Sequence, residues 1–204
     1  MKKATALFTG VMLLLGAQMA QAKNLIVYFT HPESIPNDKL DGVSGASKII
    51  KDRQAFGATE YLAREIQKNV GGDFFRIETV QRYPDTHKPL LDFAQAEQRK
   101  GTKPALKAKP NLADYDTIFV GYPIWWYQMP MAMYSFFEQN DFSGKTLIPF
   151  VAHGGSRFSG SLEEIRKMQP KANMKAGFEV YLHRTTKADS DVERDLAEWL
   201  KKLQ

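Results

Sequence analysis

The stretch Thr117-Ile118-Phe119-Val120-Gly121 is an unbroken apolar run that leads directly into Tyr122-Pro123-Ile124-Trp125-Trp126-Tyr127. Such a run, without alternating polar residues, is typical of a central parallel strand that helices cover on both faces. The segment after it places four aromatic side chains within six residues. It therefore predicts an apolar wall at the end of the strand.

Four further stretches predict strands. Residues 25–29 and 147–151 are also continuously apolar, although Pro149 fits a central strand poorly. Residues 75–77 and 178–182 alternate apolar and polar side chains, which favours edge positions. With the apolar runs in the middle and the alternating ones at the edges, the predicted strand order is 2-1-3-4-5.

Helical patterns lie between these strands. Apolar residues recur at helical spacing in the stretches that alternate with the strands, at about 58–70, 90–99, 130–139, 161–169 and 190–203. Alternation of strands and helices predicts a parallel sheet with right-handed crossovers. The predicted fold class is therefore α/β, a flavodoxin-like doubly wound five-stranded parallel sheet.

The beginning of the chain has the pattern of an export signal. Lys2 and Lys3 precede an apolar stretch, and Ala20-Gln21-Ala22 has the small residues of a cleavage site. We predict a signal peptide at 1–22, a mature domain at 23–204 and a periplasmic or secreted location in a bacterium. Removing 1–22 takes away two lysines and no acidic residue, so a net charge of +3 remains of the original +5. We expect no membrane span after cleavage.

Composition excludes several kinds of site. The 204 residues include no cysteine, which rules out disulfides, thiolate metal sites and a cysteine nucleophile. The mild positive charge does not indicate a nucleic-acid partner. The chain also has no Gly-x-Ser-x-Gly sequence, so a serine hydrolase is disfavoured. A phosphoacceptor receiver needs acidic residues at the end of the first strand, where this chain has Phe29-Thr30-His31, so that function is disfavoured too.

Three segments converge where a ligand is expected in this fold, at the carboxyl ends of strands one, three and four. The aromatic segment after strand three can stack against a flat ring, with at least one of Trp125 and Trp126 facing the crevice. Glycines in the segment 153–160 allow a close backbone approach. The helix start near Ala58 and Thr59 offers free N–H groups to a phosphate, with the Thr30 hydroxyl nearby.

These residues resemble the flavodoxin family, and more closely a subgroup with Gly-Tyr-Pro-Ile-Trp-Trp after strand three, here residues 121–126. The resemblance implies non-covalent FMN and redox chemistry. It places the phosphate at Thr30, Ala58 and Thr59. It places the flavin ring against two groups of residues: Pro123, Ile124, Trp125, Trp126 and Tyr127 on one side, and His153, Gly154, Gly155 and Ser156 on the other.

Two features depart from the family pattern. An insertion at about 31–56 separates Thr30 from the helix start, and Ala58 stands where asparagine is usual. Serines of this insertion (Ser34, Ser44 and Ser47) could compensate by folding over the phosphate. The domain is also slightly basic, whereas electron-carrying flavodoxins are acidic. With His153 and Arg157 near the ring, this predicts a less negative reduction potential.

Three functions remain open at this point. The first is an exported FMN-binding protein that transfers electrons, with a redox partner protein or a membrane-derived electron donor. The second is an FMN-dependent reductase of quinones or other small molecules. The third is a non-redox binding module that uses the Trp125/Trp126 crevice. A metal site formed by His31, Glu33, Asp38 and His153 is a weaker alternative.

Overall fold

The computed structural model describes residues 23–36, 39, 47–182 and 189–203. The predicted signal peptide at 1–22 lies outside the described residues, as do Asp38 and Ser44. In chain order the strands are β1 Asn24–Tyr28, β2 Lys48–Lys51, β3 Gln54–Gly57, β4 Asp73–Arg76, β5 Thr117–Pro123, β6 Thr146–His153, β7 Asn173–Met174 and β8 Phe178–Tyr181. The helices are α1 Ala58–Val70, α2 His87–Lys100, α3 Met131–Gln139, α4 Ser161–Met168 and α5 Asp189–Lys201.

The main sheet confirms the predicted strand order. β4, β1, β5 and β6 lie side by side, and both β7 and β8 pair with the outer side of β6. All of these pairings are parallel. Numbered as the five predicted strands, the order of the sheet is 2-1-3-4-5. The position of the fifth strand is occupied by two short strands, β7 and β8.

The division of the fifth strand explains how Pro149 is accommodated in β6. The Lys175 amide donates to the Leu147 carbonyl, so Leu147 and every second residue after it face the edge strand. The missing amide hydrogen of Pro149 therefore faces the gap between β7 and β8. A side chain on Gly177 would begin 2.6 Å from the Pro149 carbonyl oxygen, so the chain passes closely there without a regular ladder.

Each face of the sheet has its own hydrophobic core. On one face, alternate residues of β1, β5 and β6 pack against α2, α3 and α4, with Phe136, Phe137 and Phe142 fully buried. On the other face the intervening residues pack against α1 and α5, where Leu62 and Leu196 are fully buried. This alternation is why the central strands are apolar throughout.

The insertion after β1, for which the sequence pattern predicts no strand, contains an antiparallel hairpin of β2 and β3. Ile49 is buried in the core shared with α1 and α5. The Lys51 ammonium and the Tyr61 hydroxyl both bind the Glu193 carboxylate, which fastens the hairpin to α1 and α5. The hairpin has only a weak sequence signal, because two adjacent isoleucines, Ile49 and Ile50, are the apolar residues that mark β2. None of the described helices is long and apolar enough to cross a membrane.

Candidate functional site

A cavity of about 500 Å³ opens at the carboxyl ends of β1, β5 and β6, beside the start of α1. All twelve residues predicted for the site line it: Thr30, Ala58, Thr59, Pro123, Ile124, Trp125, Trp126, Tyr127, His153, Gly154, Gly155 and Ser156. The volume is in the range of sites for small organic ligands and cofactors. The topology thus brings the three predicted segments together.

The insertion does not separate Thr30 from the helix start in space. Gly57 is the residue before α1, and a side chain placed on it would begin 2.2 Å from the Thr30 hydroxyl oxygen. Thr30 and Thr59 are both buried, at 5% and 2% exposure. Among the residues that the structure describes, no side chain caps α1, so its first N–H groups are available beside the two hydroxyls. This corner of the cavity has donors suited to an anion.

The aromatic segment forms a tight turn at the mouth of the cavity. Trp125 and Gln128 exchange two backbone hydrogen bonds of 2.9 and 3.0 Å. The two residues between them, Trp126 and Tyr127, have φ values of 50° and 62°. Turns of this kind favour asparagine and glycine, because positive φ is unfavourable for larger side chains. Two aromatic residues are therefore held in a strained conformation, with Tyr127 72% exposed.

Trp125 is fixed from behind by a cluster of rings. Its indole packs edge-on against Phe29, Tyr83 and His31, at centroid distances of 5.6, 5.3 and 6.2 Å. The Tyr83 hydroxyl donates a 2.7 Å hydrogen bond to the Glu97 carboxylate. Burial, with the Glu97 interaction next, raises the pKa of Tyr83, and burial also raises the pKa of Glu97. This support keeps the cavity face of Trp125 in one orientation.

Trp126 is held by a different contact. Its Nε1 donates to the Leu91 carbonyl of α2 at 3.0 Å, and 39% of the residue is exposed. The sequence predicts that at least one of the two tryptophans faces the crevice. In the structure both of them line the cavity. The turn and α2 therefore form one continuous wall.

His153 anchors the loop on the opposite side. Its Nδ1 accepts a 3.0 Å hydrogen bond from the Gly155 amide, and its Nε2 bonds the Glu179 carboxylate. Because Nδ1 accepts, the ring proton is on Nε2 and the imidazole carries no net charge in this arrangement. The expectation that His153 supplies positive charge to the ring is therefore corrected. The positively charged group of this loop is Arg157, whose side chain is 81% exposed, with its Nε 3.8 Å from a Glu179 carboxylate oxygen.

Several cavity residues were not predicted as ligand contacts. Ala152, His87, Leu90 and Leu91 were missed, and His31, Glu33 and Ser47 were considered only as metal ligands or as loop serines. The helix prediction began at Leu90, whereas α2 begins at His87. The i, i+3, i+4 spacing of His87, Leu90 and Leu91 was the available signal, because it places all three on one helix face.

The metal alternative receives no support from the described residues. His31 Nε2 lies 2.8 Å from the Pro84 carbonyl oxygen, and Glu33 binds His87. His153 is engaged by Glu179 and Gly155. Within the described part of the chain, no group of three or more histidine, aspartate or glutamate side chains could hold a metal ion.

Comparison with known proteins agrees with this architecture. The flavodoxin family model matches residues 48–203. The chain is similar to solved structures of candidate flavoproteins from Bacteroides eggerthii DSM 20697 and Bacteroides uniformis ATCC 8492, each at 26% identity, with TM-scores of 0.62 and 0.63. These matches cover 89% and 88% of this chain and 97% and 98% of those chains.

A more distant match has the same fold. A flavoprotein from Lactobacillus acidophilus NCFM, solved in complex with FMN, is 15% identical with a TM-score of 0.57. The match covers 85% of this chain and 97% of that one. No curated protein sequence matches the chain. Because the family model spans most of the sequence and the sheet has the corresponding strand order, the protein belongs to the flavodoxin family.

Proposed function

We propose that the protein binds FMN non-covalently in the cavity and transfers electrons outside the cytoplasm. The observation that carries this proposal is the convergence of three complementary walls on one cavity. These are the donor-rich start of α1, the aromatic turn and the glycine loop that follows β6. When bound, FMN accepts and releases one or two electrons.

The residues present suit the chemical parts of FMN. The Thr30 and Thr59 hydroxyls and the first N–H groups of α1 would bind the phosphate, and Ser47 of the insertion lines the same cavity. Trp125, Trp126 and Tyr127 would pack against the flavin ring and exclude water from it. The 154–156 loop would allow backbone groups to reach the polar edge of the ring.

Export is supported by the sequence pattern of residues 1–22. An exported redox protein would take electrons from a partner protein or a membrane-derived donor, because soluble nicotinamides are scarce outside the cytoplasm. We expect the protein isolated from the periplasm to begin at Lys23, which mass spectrometry of the intact chain tests. A chain that still starts at Met1 and stays in the cytoplasm would refute the export proposal.

The purified protein itself tests the flavin proposal. We expect it to be yellow, with flavin absorbance bands, and to release FMN rather than riboflavin on denaturation. Flavin-free protein should bind FMN more tightly than riboflavin, since only FMN fills the phosphate site. A colourless protein that binds neither flavin would instead support a non-redox binding module built on Trp125 and Trp126.

A second candidate, a reductase of quinones or similar small molecules, is favoured by one specific observation. A histidine and a buried carboxylate, His87 and Glu33, lie together in the cavity wall. A one-electron carrier has no need of such a proton-exchanging pair.

A further inference from the structure

Glu33 and His87 form a hydrogen-bonded pair inside the proposed flavin cavity. The Glu33 carboxylate oxygen lies 2.8 Å from His87 Nδ1, and both residues line the cavity. The Glu33 side chain is 7% exposed, whereas the His87 side chain is 28% exposed. The carboxylate is thus the more buried member of the pair, and the histidine is the more accessible one.

The pair has the geometry of a proton donor with a positioning group. An ionised Glu33 accepts from Nδ1–H, which leaves Nε2 as the nitrogen that can gain or lose a proton. Among the described residues, Nε2 has no hydrogen-bond partner. The carboxylate at this distance also fixes the orientation of the imidazole ring. The backbone amide of Glu33 is itself held by the Ser47 hydroxyl at 3.3 Å.

The position of His87 places it beside the expected ring site. His87, Leu90 and Leu91 share one face of α2 and line the cavity together. The Leu91 carbonyl accepts the hydrogen bond of Trp126 Nε1, so this face is joined to the aromatic turn. A substrate lying on the flavin ring against that turn would therefore meet the α2 face that carries His87.

Other charged groups near the pair have their own partners. Lys48, 8% exposed, donates to the Ile35 carbonyl, and burial lowers its pKa although Glu33 partly opposes that shift. His31 bonds the Pro84 carbonyl and lies 3.9 Å from Asp85, which also pairs with Arg82. Within the described ranges, His87 is the histidine of this region that lines the cavity and has a ring nitrogen without a hydrogen-bond partner.

We propose that the His87–Glu33 pair delivers a proton to a quinone that the flavin reduces, so that the protein is a two-electron reductase. This inference rests on the proposed FMN function. A quinone that becomes a hydroquinone gains two electrons and two protons. Anionic reduced flavin, which an electron-donor protein has reduced beforehand, would supply both electrons and one of the two protons. The His87 imidazolium donates the second proton from Nε2 to the quinone oxygen and is left neutral. Solvent then restores its proton.

The test compares an acceptor that needs protons with one that does not. Holoprotein reduced with dithionite is mixed in stopped flow with duroquinone or with ferricyanide, which takes single electrons and no proton. In His87→Gln we expect the ratio of the duroquinone rate to the ferricyanide rate to fall about 100-fold or more, a typical loss for general acid catalysis. Glu33→Gln should lower the same ratio by a smaller factor. The chain has no cysteine, so the quinone cannot alkylate thiols.

Two controls separate this role from a structural one. Lys88→Gln changes the residue next to His87 on the exposed side of α2, where Lys88 pairs with Asp92, and should leave the ratio unchanged. In oxidised holoprotein no electrons can flow, so duroquinone binding alone should shift the His87 imidazole ¹⁵N signals. The chain has four histidines, so substitution assigns these signals.

The possible outcomes distinguish failure of the proton-donor assignment from failure of the FMN proposal. An unchanged rate ratio in His87→Gln, or an equal fall with both acceptors, overturns the proton-donor assignment while FMN binding stands. Unshifted His87 signals at saturating duroquinone overturn it as well. Failure of the wild-type protein to bind FMN overturns the proposed function and this inference together.

Discussion

Thr59 is the residue at which the phosphate assignment can be tested most selectively. Its hydroxyl is at the start of α1, and its methyl group packs on Gly121, where an added side chain would begin 2.8 Å from that methyl. In Thr59→Val the methyl contact is kept and the hydroxyl is lost. A hydrogen bond to a charged group contributes about 1.5–3 kcal/mol, so FMN affinity should fall about 10- to 100-fold.

Titration of flavin-free Thr59→Val with FMN and with riboflavin measures this effect. Riboflavin has no phosphate, so its affinity should not change. Thr117→Val, at the opposite end of β5, serves as the control and should bind both flavins like the wild type. Equal losses of FMN and riboflavin affinity would place the Thr59 hydroxyl somewhere other than the phosphate site.

Glu97 should make the stability of the protein depend on pH. Burial raises its pKa above the ordinary 4.5, so the folded state holds the proton more tightly than the unfolded state. The resulting stabilisation is complete below pH 4.5 and is lost as pH rises toward the raised pKa. In Glu97→Gln the amide oxygen can still accept from Tyr83 without ionising. We therefore expect the variant to be more stable than the wild type at pH 7. At pH 4 we expect this stability advantage of the variant to be smaller.

Thermal unfolding at the two pH values measures this difference. A gain of the order of 1 kcal/mol corresponds to about 2–4 °C in Tm for a domain of this size. A Tm difference that is the same at pH 4 and pH 7 would show that Glu97 ionisation does not contribute.

Individual site residues could be predicted where they follow a strand directly. Gly155 and Trp125 were found because the carboxyl ends of parallel strands meet at one edge. His87 and Glu33 were not found as a pair, because 53 residues lie between them and no local pattern links them. Their contact depends on the path of the insertion and on where α2 begins. The tautomer of His153 likewise depends on Gly155 and Glu179, which only the folded chain brings together.

The aromatic turn is the element in which stability and binding should oppose each other. Tyr127 has a φ of 62° and is 72% exposed, so glycine there would relieve backbone strain at little cost in packing. We expect Tyr127→Gly to raise the free energy of unfolding of the flavin-free protein by about 1 kcal/mol. Loss of the stacking ring should weaken FMN binding about 3- to 10-fold.

The β2–β3 hairpin supplies a matched control for that prediction. Its turn residues Asp52 and Arg53 have φ values of 49° and 65°, close to those of Trp126 and Tyr127, but they lie outside the cavity. Arg53→Gly should therefore stabilise the protein to a similar extent and leave FMN affinity unchanged. Denaturant unfolding and FMN titration of both variants provide the measurements. If Tyr127→Gly bound FMN like the wild type, the ring wall would not include Tyr127.

Elements with a long, consistent pattern were predicted well. The three central strands and α1 follow from apolar runs and four-residue spacing. The β2–β3 hairpin was missed because its stability comes from contacts with α1 and α5, through Ile49 and Glu193, rather than from its own sequence. Pro149 is tolerated because the edge strand is interrupted beside it, a feature of the neighbouring chain segment.

The net charge of the protein should influence the reduction potential of a bound flavin. The formal charge is +3 once residues 1–22 are removed from the full chain of +5, and a reduced flavin anion is less disfavoured in such a protein than in a strongly acidic one. We expect the hydroquinone potential to be less negative than that of an acidic flavodoxin by on the order of 60 mV or more, a tenfold change in a one-electron equilibrium.

The salt dependence of the reduction potential tests whether net charge is the cause. Because Arg157 is exposed and His153 is neutral, the effect comes from distributed charge, which salt screens. The difference in potential should therefore shrink as ionic strength rises. A redox titration that gives a potential as low as that of acidic flavodoxins at low salt would contradict the prediction.

We propose that the carboxyl ends of β1, β5 and β6, with the start of α1, form a cavity for FMN. Equilibrium titration of the flavin-free protein with FMN, followed by FMN fluorescence, measures this binding. We expect saturable binding of one FMN per chain with a Kd below about 1 μM, and quenching by the aromatic turn. FMN fluorescence that stays unchanged at protein concentrations far above that value would contradict the claim.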